Sequence, residues 1–532
     1  MKFTAPHLEY SQLAPLLIVL GVATIGVLVE AAVPRAQRYL VQTVLSVVGM
    51  LVALGDTFWV FGKLHPWGGK AHPGHVVAQG SLSVDGPAVF CWILVLVFSL
   101  LSVLLFAERR LEGGVTAFAG QASALPGTAA EREASTRGLE HTEVFPLMMF
   151  AVAGMMIFPA ADDLITMFVG LEVLSLPLYL LCGLARRRRL LSQEAAMKYF
   201  MLGAFSSGFF VYGMALVYGY SGSMQLDKIA FAVSSQSGAH ALLLGGMGML
   251  AVGLFFKIGA APFQAWVPDV YQGAPTSVTA FMAAGTKVAA FGALFRLFYV
   301  GFGGARWDWL PIVWIIAITT MVVGSVMALA QTDVKRLLAY SSVAHAGFML
   351  TAFLGIRSLG DIGAGDIQPV QAILFYLTTY GLTNMAAFAI VTLVRDSGGE
   401  ATSMAAWTGL GKKSPLVAGT FAFLLLGLGG IPLTSGFTAK WAVFASAMSA
   451  GAWPVVIIAV MGSAAAVFFY VRVIVLMFFT DNGTAVGEGP TVAVPSPMTS
   501  LVIAVGAAGT LVLGVVPGPL LDLLGRVGEF IR

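Results

Sequence analysis

The chain has 532 residues, 58% hydrophobic and 10% charged, with a mean hydropathy of +0.88. Soluble domains carry roughly 25% charged residues, so water-soluble folds and disorder are both excluded. A net charge of +3 on so apolar a chain speaks for membrane orientation, not nucleic-acid binding. The two cysteines, Cys91 and Cys182, are too few and too far apart to ligate an iron–sulfur cluster. No C-x-x-C-H offers haem attachment, and no phosphate-cradling glycine loop points to ATP.

A membrane-crossing helix needs about 20 apolar residues. Three such segments, centred near residues 22, 49 and 96, fill residues 1–107. The first lacks a compact basic start and is long enough to span, so it reads as a retained helix, not a cleaved signal. The loop after the second holds His65, His72 and His75. No carboxylate or cysteine joins them, and the loop reads as solvated instead of metal-binding. Residues 108–141, polar and rich in small side chains, are expected to form a flexible cytoplasmic insertion. Five segments near 151, 174, 206, 251 and 286 then fill 142–302, and five near 320, 345, 382, 430 and 465 fill 308–480. A last one, near 511, occupies 498–532. The expected fold is an all-α polytopic membrane protein with about fourteen transmembrane helices.

The basic residues orient these spans. Loops following the odd-numbered spans carry fifteen: Arg35, Arg38, Arg109, Arg110, Arg132, Arg137, Arg186 to Arg189, Lys335, Arg336, Arg395, Lys412 and Lys413. The opposite face carries eight of the 29. By the positive-inside rule the arginine-rich face is cytoplasmic and both termini lie outside.

The remaining six basic residues fall inside spans, where a charge costs at least about 2.5–3.5 kcal/mol. Arg296 and Arg472 sit near helix ends and are expected to snorkel to the interface. Lys257, Lys287 and Lys440 lie deeper, as do Glu172 and His345. Lys198 follows Glu194 by four residues, a favourable helical pair, which leaves structural and proton-path roles both open. His345 is readable as a packed histidine or as a relay group. Removing a lysine from water disfavours its charged form, so a buried lysine near a carboxylate can bind and release a proton as the carboxylate moves or titrates.

Two spans are interrupted. Pro262 and Pro268 break the seventh, and Gly429, Gly430 and Pro432 break the twelfth. The segments Gly259–Pro262 and Gly429–Pro432 are offset by 170 residues. Five spans lie within that offset, so a second copy must enter the membrane inverted. The expectation is two inverted five-helix repeats, each with a broken helix lining a hydrated cavity; plain packing kinks are the alternative.

Four stretches carry a resemblance: GLEVLSLPLYLL, SQEAAMKYFMLGAFSSGFFVYG, FFKIGAAPFQAWVPDVYQGAPTSVTAFMAAGTKVAAF and DVKRLLAYSSVAHAGFML. They resemble the antiporter-like membrane subunits of respiratory complex I, and among these the N type. Lys440 stands where M-type subunits are expected to have Glu, and the chain shows no long lateral helix of the L type before it stops at Arg532. The resemblance implies a proton-translocating subunit with Glu172, Lys257, Lys287 and Lys440 on the proton path and Lys198 and His345 as relays. It places Glu172 and Lys257 as a gating pair. It further implies no cofactor or metal in this chain, with FMN, iron–sulfur clusters and quinone in partner subunits. The expected partners are other complex I membrane subunits, further antiporter-like ones included, in the bacterial inner membrane. A subunit of a multi-subunit cation/proton antiporter and an inert scaffold subunit are the rival readings.

Overall fold

A computed structural model describes residues 8–65, 72–121, 128–137, 139–236, 238–355, 367–396, 398–480, 491–527 and 530–531. The spans, in order, are Tyr10–Ala32, Arg35–Leu64, Gly86–Phe106, Val144–Ala160, Leu164–Cys182 and Arg189–Ser221. The seventh is split into His240–Ile258 and Trp266–Gly273, and the eighth is Thr276–Gly301. Then follow Arg306–Leu329, Val334–Phe353 and Pro369–Val391. The twelfth is split into Pro415–Gly429 and Ser435–Ser449, followed by Trp453–Phe479 and Pro497–Val515. All fourteen expected segments are therefore helical. Eleven helices among the described residues are long and apolar enough to cross a membrane. The fourth is only 17 residues long, the tenth carries Lys335, Arg336 and His345, and the twelfth is broken.

Burial sorts the spans. The eighth and eleventh are enclosed along nearly their whole length and the third almost as fully, which makes them the centre of the bundle. Outer spans keep large apolar side chains such as Phe205, Val326 and Phe468 exposed, the surface a bilayer solvates.

The repeat is written into specific contacts. Asp163 caps the fifth span by accepting from Thr166 N at 2.8 Å, and Asp333, 170 residues on, caps the tenth by accepting from Arg336 N at 3.0 Å. A Cβ on Gly154 would collide with the backbone of Leu174, where spans four and five cross. A Cβ on Gly324 would collide with the backbone of Ala344, where spans nine and ten cross, again 170 residues away. Small residues let these helices approach closely in lipid. The pre-break half-helices end on Gly259 and Gly430, both left-handed, with φ of +78° and +83°.

The arginine run does more than orient the chain. Arg186 donates to Thr116 O and Leu139 O, Arg187 pairs with Glu112 at 2.9 Å, Arg188 reaches Thr402 Oγ1 at 3.2 Å, and Arg189 reaches Gln121 O at 3.0 Å. Glu112 also pairs with Arg395, and Glu140 with Arg109. The loose insertion expected at 108–141 is thus fastened at both described ends and holds a short helix, Ala129–Thr136; residues 122–127 and 138 lie outside the described residues. So do 66–71 of the histidine loop.

Arg296 does not snorkel. It is fully buried, with Nη2 2.7 and 2.8 Å from the two Asp85 oxygens and Nε donating to Pro159 O at 2.7 Å. Asp85 also accepts from Ile531 N, and the Phe530 ring lies 5.1 Å from the guanidinium carbon, so the chain's last described residues close over this pair. Beside it, in the loop between spans four and five, burial raises the Asp162 carboxyl above its ordinary range, against the opposing effects of Arg296 and Ser83.

Candidate ion path

Lys257, Lys287 and Lys440 are each placed by a helix break or by a hydroxyl. Lys257 occupies the last turn of the pre-break half of span seven, where Gly259 stops the helix. Its Nζ donates to Ser175 Oγ at 2.8 Å and to Tyr199 OH at 3.0 Å. Tyr199 is itself pinned by stacking on Trp266, just beyond the break, with centroids 4.6 Å apart. Glu172 is half-buried on span five and accepts from the Ser207 hydroxyl of span six. The expected Glu172–Lys257 pair is therefore not a direct contact. Ser175, one turn further along the glutamate's helix, takes the ammonium, and the Glu172 charge acts on Lys257 across that turn.

Lys287 and Lys440 share one arrangement. Lys287 Nζ donates to Ile258 O at 3.0 Å, the carbonyl immediately before Gly259. Lys440 Nζ donates to Gly429 O at 2.7 Å, the carbonyl immediately before Gly430. Both ammonium groups thus sit on the free carbonyl end of a pre-break half-helix, where the helix dipole concentrates negative charge. Second bonds complete each site: Ser342 O at 3.1 Å for Lys287 and Ser463 Oγ at 2.8 Å for Lys440. Gly430 lacks the Cβ that would stand 3.0 Å from Lys440 Cδ. A π-helical stretch, Met282–Thr286, directly precedes Lys287 and sets its angle into the bundle.

His345 is buried on span ten. Its Nδ1 lies 2.7 Å from Tyr376 OH and its Nε2 3.3 Å from Tyr470 OH, and Tyr470 also bonds to Ser341. The charges of Lys287 and Lys440 both act on the imidazole. Lys198 stands apart from this series. Its half-exposed Nζ is held by Glu194 at 2.7 Å, the helical pair expected, and by Asp269 at 2.8 Å, which was not foreseen. Asp269 also binds Arg336 at 2.7 Å and so ties the post-break half-helix of span seven to the start of span ten.

The six expected positions therefore fall into a buried series of four (Lys257, Lys287, His345, Lys440), with Glu172 at one end and Lys198 on the flank. The reading from sequence missed Ser175, Tyr199, Tyr376, Ser463 and Tyr470, the hydroxyls that hold them. Among the described residues no three His, Cys, Asp or Glu side chains gather closely enough to hold a metal.

Residues 161–466 match the family model described as NADH:quinone oxidoreductase/Mrp antiporter, TM. Over 533 residues the chain is 64% identical to NADH-quinone oxidoreductase subunit N of Nocardioides sp. (strain ATCC BAA-499 / JS614), covering all of both chains. It is 54% identical to the subunit N of Acidothermus cellulolyticus (strain ATCC 43068 / DSM 8971 / 11B), across 99% of this chain and 98% of that one. A chain of respiratory complex I from Thermus thermophilus with bound aureothin superposes with a TM-score of 0.74 at 32% identity, covering 97% of this chain and 100% of that one. Matched end to end by subunits N and over more than half its length by the family model, this chain belongs to the antiporter-like membrane subunits of NADH-quinone oxidoreductase, and among them to the N type.

Proposed function

We propose that this subunit translocates protons along the series Glu172, Lys257, Lys287, His345, Lys440, driven by electron transfer in partner subunits. The observation that supports this most strongly is the placement of Lys287 and Lys440 on the open ends of two broken helices, with His345, hydrogen-bonded to Tyr376 and Tyr470, within reach of both charges. A broken helix supplies unpaired carbonyls that stabilise an ammonium deep in a bilayer. A small shift of the half-helix removes that stabilisation, and the lysine then gives up its proton to the next hydroxyl or imidazole. Glu172 acts on Lys257 as the gate through the Ser175 turn, holding its proton while the carboxylate is charged. Lys198, exchanging between Glu194 and Asp269, extends the series to the flank and couples it to the post-break half of span seven.

In this reading the chain holds no redox group. FMN, iron–sulfur clusters and quinone belong to partner subunits, and the energy arrives as a displacement or a change of field at Glu172. The subunit lies in the bacterial inner membrane with its arginine-rich loops cytoplasmic and both termini outside. Residues 142–302 and 308–480 are the two half-channels, 1–107 and 498–532 brace them, and 108–141 covers the cytoplasmic face. The test is NADH-driven proton pumping by assembled complex carrying Lys257→Ala or Glu172→Ala. Pumping is expected to fall roughly 10²-fold or more for Lys257→Ala. Wild-type pumping in both variants would overturn the assignment.

A further inference from the structure

Lys335, placed with the loop charges by its sequence position, is buried in the first turn of span ten. Its Nζ donates to Ala274 O at 2.9 Å, at the end of the post-break half of span seven, and stands 3.7 Å from Glu400 Oε2. Glu400 accepts in turn from the Thr276 hydroxyl that begins span eight. This ion pair borders an open cavity on the arginine-rich face, between the arginine run, Gly273 and Thr402, with about 50 Å³ of water-accessible space. The arginines there already have protein partners: Arg186 the Thr116 and Leu139 carbonyls, Arg187 Glu112, and Arg188 Thr402. An anion-binding pocket is therefore a poor description of the cavity. Its floor is the titratable pair.

Seven residues further along the same helix face, about 10 Å of rise, lies Ser342. Its Oγ is fully buried and is faced by the Tyr271 and Tyr380 hydroxyls. The Ser342 hydroxyl lies between the cavity floor and Lys287, whose Nζ is bonded to the carbonyl of the same serine. A proton passing from the cavity to Lys287 would need a group at this point that can both donate and accept, and a hydroxyl does both.

We propose that the cavity is the inlet from which Lys287 is loaded, with Lys335 and Glu400 as its proton-transferring pair. This rests on the reading that Lys287 lies on the proton path. A hydronium in the cavity protonates the Glu400 carboxylate and leaves as water. Lys335 passes one Nζ proton inward and regains it from Glu400. The Tyr271 and Ser342 hydroxyls accept that proton and release one to the neutral Lys287 amine, so one proton enters and each carrier is restored.

Assembled complex carrying Lys335→Arg, Glu400→Gln or Lys287→Met, assayed in inverted membrane vesicles for NADH-driven proton pumping, tests this. Arginine keeps the positive charge and its bonds to Ala274 O and Glu400 but does not release a proton near neutral pH. Lys335→Arg and Glu400→Gln are both expected to lower pumping about tenfold or more while the subunit remains in the complex. Wild-type pumping in Lys335→Arg would show a structural clamp and overturn the inlet. If Lys287→Met stops pumping and Lys335→Arg does not, only the inlet fails. If Lys287→Met itself pumps normally, the path beneath it fails as well. Should Lys335→Arg not assemble, the near-isosteric Glu400→Gln decides alone, and its wild-type pumping would likewise overturn the inlet.

Discussion

Replacing Asp85 by Asn keeps the side chain's shape and its cap on Ala88 N but removes the charge that Arg296 faces. Both side chains are 0% exposed, and the guanidinium then has only Pro159 O and the carboxamide oxygen as acceptors. An uncompensated buried charge of this kind costs about 3–5 kcal/mol. At about 1.4 kcal/mol per factor of ten, the locally opened population should rise roughly 10²- to 10⁴-fold. Cys91, buried within reach of the Arg296 charge, reports that opening, because its thiol reacts with an alkylating reagent only when this corner separates. Brief warming of purified complex with the reagent, followed by mass spectrometry of the Cys91 peptide, gives the rate. Asp85→Asn should label much faster than wild type, and Asp85→Asn with Arg296→Met should recover much of the difference, since a pair replaced by apolar volume leaves no stranded charge. Wild-type labelling in the single variant would refute the reasoning, as would a double variant that labels as fast as the single.

Two more outcomes follow from packing at the glycines. Gly430→Ala places a methyl 3.1 Å from Lys440 Nζ at a backbone φ of +83°, a conformation costing about 1–2 kcal/mol for a residue with a Cβ. The ammonium should be pushed off Gly429 O, and NADH-driven pumping in vesicles should slow although the complex assembles. Gly324→Leu should prevent spans nine and ten from crossing and sharply lower the amount of subunit recovered in membranes, whereas Gly208→Ala, with no atom within 4 Å of the added carbon, should leave it unchanged.

The spans were legible because a bilayer imposes a length and a polarity that few soluble helices share. The lysines were legible for the complementary reason: Lys257, Lys287 and Lys440 interrupt runs that lipid would otherwise keep uncharged. Their partners were not. Ser175, Tyr199 and Tyr470 are common residues in apolar helices, and only the packing of spans five, six and thirteen brings their hydroxyls to an ammonium or an imidazole. Position along a span also misled at its ends. Arg296 read as a snorkelling side chain because its carboxylate, Asp85, is 211 residues away, and Lys335 read as a loop charge although it is buried against Ala274 O and Glu400. The repeat was visible at the two breaks, but the stronger marks, Asp163 with Asp333 and Gly154 with Gly324, carry no distinctive motif and emerge only from the helix caps and crossings.

The central claim is that protons pass through the buried lysine at the first break on their way to the second. Complex containing Lys287→Met, reconstituted in proteoliposomes and supplied with NADH and quinone, measures this directly through the initial rate of lumen acidification at matched complex content. The account predicts a rate lowered roughly 10²-fold or more. Acidification at the wild-type rate, with the variant subunit present in the complex, would contradict it.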